Sequence, residues 1–137
     1  MNDRPIIIHS LEDARAALAV AAELGVPVTL RSAAGAGRYL GASVFRDMVD
    51  EAAGPTPPIA VTTIFDCGDD PGLALGALRL GLKVIRISIT GDAKDRIAEI
   101  AARTDARLDE DISTPVLDLL PLEDKEAALR SWLSQGK

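Results

Sequence analysis

The chain has 137 residues, 47% of them hydrophobic, and a formal net charge of −6. That suits one domain with a real core and argues against a general nucleic-acid binder, which needs a basic footprint. No apolar run approaches the roughly 18 residues of a membrane helix, and the opening MNDRPIIIHS is too short and too acidic for a signal peptide.

The single cysteine excludes an internal disulfide and any two-cysteine metal site within one chain. A soluble, cytoplasmic protein is expected. The Ala, Gly, Arg and Asp richness fits a GC-rich bacterial genome. Aromatic residues make up only 3%, so the core is one of small and branched side chains, as when helices lie on a parallel sheet.

In chain order, Ile6-Ile7-Ile8 reads as the first strand, ending at His9-Ser10. Ser10 and Asp13 form a capping-box-like start, with an acid where Glu or Gln is usual. Leu11, Ala14, Leu18, Ala21 and Leu24 then recur at helical spacing until Gly25 supplies the stop. Val26 to Leu30 is the second strand, ending at Arg31-Ser32. The small-residue turn Ala33 to Gly37 feeds a second helix running to about Ala53, and Gly54 to Pro58 is a stiff loop.

Ile59 to Phe65 is an apolar, β-branched third strand that breaks into Asp66-Cys67-Gly68-Asp69-Asp70. Asp70-Pro71 reads as an N-cap and first turn, and the third helix runs from Pro71 to Leu80. The fourth strand, Lys83 to Ile89, stops at Thr90-Gly91-Asp92, and a fourth helix follows from Ala93 to about Arg103. Beyond it, Ala106 to Leu108 and Val116 to Leu120 compete as a short fifth strand. Pro121 opens the last helix, with Glu123 and Asp124 in its first turn.

Sliding the chain by 35 residues sets Gly37, Leu40, Gly41 and Ala42 on Gly72, Leu75, Gly76 and Ala77. Glycine at this spacing lets a helix lie close on a sheet, which is its packing explanation. The whole reads as one α/β domain with a four- to five-stranded, mainly parallel sheet and flanking helices. The expected form is flavodoxin-like and doubly wound. The alternative is half of a βα barrel whose units curl in sequential order and which a second copy completes.

In either form the carboxyl ends of the strands share one edge, where α/β proteins bind ligands. His9, Asp66 and Cys67 are the candidate catalytic residues there. Cys67 precedes a helix that would lower its thiol pKa, and His9 would be its base if the first and third strands were neighbours. The plainer reading of Cys67 is a small buried hydrophobe. Ser10, Arg31, Ser32, Gly35, Gly37, Asp69 and Thr90 are the candidate ligand-binding residues. Arg31 and the Ala33–Gly37 turn would cradle a phosphate or carboxylate.

Two structural readings compete with that site. Arg31 and Asp66 would form a plain salt bridge, and Asp66, Asp69 and His9 would hold a divalent metal. In position, Asp66 and Thr90 resemble the strand-end residues of response-regulator receiver domains. His9-Ser10 stands where that family has its acidic pair, however, and no lysine closes a fifth strand, so the family is not assigned. The turn from Asp66 to Ala77 resembles those of small-molecule aldolase barrels, without a Schiff-base lysine at a strand end.

The function expected is therefore binding, with or without turnover, of a small anionic metabolite. The alternative is a non-catalytic regulatory or assembly module acting through its last helix, with Leu129, Trp132 and Leu133. A homo-oligomer is expected; nucleic-acid and membrane partners are not.

Overall fold

The computed structural model describes residues 4–35, 40–111 and 114–135. Gly37, and with it part of the expected cradle, lies outside them. Eleven elements follow in order: β1 (Pro5–Ile7), α1 (Leu11–Leu24), β2 (Val28–Arg31), α2 (Ala42–Ala53), β3 (Val61–Asp66), α3 (Pro71–Arg79), β4 (Val84–Arg86), α4 (Gly91–Arg103), β5 (Arg107–Leu108), β6 (Leu117–Asp118) and α5 (Lys125–Ser134).

The α/β architecture is the expected one, an all-parallel sheet with flanking helices. Among the described residues it has six strands instead of four or five. Both competing segments are strands, each only two residues long, and they sit on opposite edges: the order is β5-β4-β3-β2-β1-β6. β2 therefore separates β1 from β3. The neighbour relation that the flavodoxin order implied is absent, and β1 to β5 lie side by side in sequential order.

Local signals explain the element ends. Ser10 Oγ accepts the Asp13 amide at 3.1 Å, and Asp13 Oδ2 accepts the His9 amide at 2.9 Å, one residue earlier than in the usual box. Gly25, at φ 67°, adopts the left-handed conformation that closes α1. Asp70 caps α3 through the Leu73 amide, with Pro71 in the first turn. The last helix starts later than Pro121, because Asp124 is its cap and not part of its first turn.

The helices touch in the order of the strands: α5 against α1, α1 against α2, α2 against α3, α3 against α4. Ile6, Leu30, Phe65 and Ile85 are fully buried, and Phe65 meets Phe45 of α2 at 5.5 Å between ring centres. Since side chains alternate along a strand, the neighbours of these residues face the other way. Pairing of Arg31 with Ile64 and of Asp66 with Arg86 puts Arg31, Ile64, Asp66 and Arg86 on that second face.

Asp13 is buried in α1 at 2% exposure and pairs with Lys125 of α5 at 2.7 Å. Trp132 donates its indole N–H to the Arg4 carbonyl, and the Arg4 guanidinium stacks 3.9 Å over its ring. The last helix is thus engaged by its own chain. In the glycine echo a Cβ on Gly41 or Gly76 would meet nothing within 4 Å, and one on Gly72 would meet the Asp70 cap at 3.4 Å, so close helix–sheet packing does not account for these three glycines.

Candidate functional site

At the carboxyl ends of β2, β3 and β4 the second sheet face meets two tight turns. Gly35 and Gly68 have φ of 69° and 60°, which favours glycine. A Cβ on Gly68 would sit 3.7 Å from the Gly35 Cα, so the turns lie against each other. Both aim their amides at one oxygen: Asp66 Oδ1 accepts Gly68 N–H at 2.9 Å and Gly35 N–H at 3.3 Å. Ser32, fully buried, accepts the Asp66 amide on its Oγ at 2.8 Å. Asp66 thus fastens the turn after β2 to the turn after β3.

The second carboxylate oxygen, Asp66 Oδ2, lies 3.9 Å from Arg86 Nε. Arg86 in turn donates to Asp109 Oδ2 at 2.7 Å and to the Asp111 carbonyl at 2.9 Å. Asp66 and Arg86 line an open cleft of about 520 Å³, together with Ala34, Gly35, Gly68, Asp69, Ile87 and Ser88.

Arg31 completes the group from β2. Burial lowers its pKa below the ordinary arginine value, and the Arg86 charge lowers it further; Asp66 and Asp109 act in the opposite sense. Its Nε is buried and, among the described residues, has no hydrogen-bond partner. Among the described residues, the carboxylates of this cluster pair with Arg86 and not with Arg31. The salt bridge between Arg31 and Asp66 read as an alternative is therefore replaced by Asp66–Arg86–Asp109.

The other strand-end residues lie on the same edge but do other work. His9 Nε2 bonds Asp118 Oδ1 at 2.7 Å, joining the ends of β1 and β6. Burial pushes the Asp118 carboxyl up, but the Leu120 amide and the bond and charge of His9 outweigh it and hold it below its ordinary value. Ser10 caps α1, and Thr90 is an exposed N-cap of α4 whose side chain makes no capping bond. Among the described residues no three His, Cys, Asp or Glu side chains are grouped to hold a metal.

Cys67 is 2% exposed, and its Sγ lies 3.9 Å from the Phe65 carbonyl. The expected fall in its thiol pKa is reversed. Burial, and then the charges of Asp66 and Asp70, push it up to about 12. β2 also stands between His9 and Cys67, so the pairing of base and thiol is not formed.

Arg86 and Asp109 were not among the expected site residues. An arginine inside a four-residue apolar window is a signal, because a charge beside a core needs a partner. Asp109 lies just after a two-residue strand and gave none. No helix among the described residues is long and apolar enough to cross a membrane. Set against known proteins, no family model matches this chain and no curated sequence is detectably similar to it.

Proposed function

We propose that the chain binds a small anionic metabolite at the carboxyl ends of β2, β3 and β4, with Arg31 as its anchor. One observation carries this reading: among the described residues the buried Arg31 Nε has no acceptor, and Arg31 stands on the same sheet face as Asp66 and Arg86, which line an open cleft. A buried donor left without a partner costs about 1–3 kcal/mol. Binding an anion would recover that cost, and a planar guanidinium is well matched to a carboxylate or phosphate.

The test is thermal unfolding of the parent and of Arg31→Met with a panel of small carboxylates and phosphate esters. Compounds that stabilise the parent and leave Arg31→Met unmoved support the reading. Equal stabilisation of both proteins, or none of the parent, overturns it.

A further inference from the structure

Resting on that anion-binding reading, we infer that His9, held by Asp118, is the second contact of the anion and meets it as the imidazolium, so that binding takes up a proton.

The sheet register places the pair. Ile7 of β1 stands opposite Arg31 of β2 on one side and Asp118 of β6 on the other, so these three side chains share the second sheet face. His9 lies two residues beyond Ile7 and by the same alternation faces the same way; its 2.7 Å bond to Asp118 agrees. Asp66 stands in the same relation to Ile64, which is opposite Arg31 on β3. Arg31 therefore has two diagonal neighbours at the strand ends, His9 toward β1 and Asp66 toward β3. Diagonal neighbours stand about 7–8 Å apart, within reach of long side chains.

The two neighbours offer an anion opposite things. Asp66 is a carboxylate fixed in place by the Gly35 and Gly68 amides, and it repels a second negative charge. His9 offers a partly exposed ring whose Nε2 is taken by Asp118. Among the described residues, its Nδ1 has no hydrogen-bond partner. A neutral ring that donates Nε2–H to Asp118 presents a lone pair at Nδ1, which an anion avoids. The protonated ring presents an N–H there instead.

The surrounding charges favour the same linkage. Asp13 of α1 accepts the His9 backbone amide and pairs with Lys125 of α5, so that pair is closed on itself. Asp118 and Arg31 are left to act on the ring. With the site empty Arg31 repels a positive ring, and an anion between the two removes that repulsion. Histidine is the side chain whose charge changes between about pH 5 and 8, so the linkage falls in an accessible range.

The experiment uses the full chain with acetate and sulfate, whose charges are constant between pH 6 and pH 8. The concentration dependence of Tm at both pH values and constant ionic strength gives the dissociation constants. Binding should be about fivefold tighter at pH 6 than at pH 8. His9→Gln keeps an N–H for Asp118 but takes up no proton, and should bind equally at both pH values. His9 is the only histidine, so its ring gives one NMR signal of each kind. At pH 7 the anion should move that signal toward its acid position in the parent and not in Arg31→Met.

An anion that stabilises the parent equally at both pH values, or leaves the His9 signal in place, overturns the inference and leaves anion binding at Arg31 standing. A pH dependence that survives in His9→Gln assigns the proton to another group and overturns it too. No shift with either anion at pH 6 overturns the inference. Arg31→Met responding like the parent overturns the reading beneath it as well.

Discussion

Replacing Arg31 by Met should remove the ligand response without weakening the apo protein. The residue's Nε is buried without an acceptor, and releasing such a donor recovers about 1–3 kcal/mol. Repulsion from Arg86 is relieved at the same time. Against this stands the lost attraction to Asp66 and Asp109. Those carboxylates are not orphaned, because Arg86 holds Asp109 at 2.7 Å and approaches Asp66 at 3.9 Å.

The arginine stem packs as an apolar chain, and methionine is flexible enough to fill its path. The net expectation is an apo stability unchanged or raised by up to about 2 kcal/mol. Urea unfolding with linear extrapolation measures it, and an unchanged m-value shows that the two-state comparison is fair. A loss above about 1 kcal/mol would mean that Arg31 supports the fold, and the binding reading would lose its main support.

Other substitutions test the surrounding parts. Asp66→Ala strips two turn amides of their acceptor and should cost about 2–4 kcal/mol in urea unfolding, largely restored by Asn; a loss below about 1 kcal/mol would deny Asp66 its fastening role. Cys67 should react with iodoacetamide at pH 8 about a thousandfold more slowly than a free thiol, since its pKa stands near 12 against 9; reaction at the free rate contradicts the burial. Because that folded pKa is raised, the Cys67 contribution to stability is complete below about pH 9 and is lost as pH rises toward 12, so Cys67→Ala should flatten the alkaline limb of the stability profile. The Asp118 carboxyl is held low, so its contribution is present above its unfolded pKa near 3.8 and lost as pH falls below it; His9→Ala should soften that acid loss, and an identical acid limb would refute the His9–Asp118 link.

Long periodic segments were legible in the sequence because their ends carry chemistry. The Ser10 cap, Gly25 and Asp70-Pro71 each mark a boundary that the structure keeps within a residue or two. β5 and β6 were read as competitors because two residues give no alternation to detect, and their existence depends on pairing with Val84–Ile85 and Ile6–Ile7. Strand order is likewise a property of the assembled sheet, and the mistaken neighbouring of β1 and β3 carried the His9–Cys67 pairing with it.

At the strand ends the residue types were visible and their partners were not. The Ala33–Gly37 turn reads as a cradle for a ligand, and the structure shows one of its amides, Gly35 N–H, donating to Asp66, thirty-one residues along. Arg31 was singled out from its position, but only the side-chain geometry shows that Arg86, not Arg31, takes the carboxylates.

The most direct measurement is an NMR titration that follows the Arg31 Nε–H signal as a small carboxylate or phosphate ester that stabilises the protein is added. Binding at Arg31 predicts that this signal shifts, together with the amides of Gly35, Gly68 and Ser88 around the cleft. A bound anion that leaves the Arg31 Nε–H unmoved, or moves only residues away from the ends of β2, β3 and β4, would contradict the account.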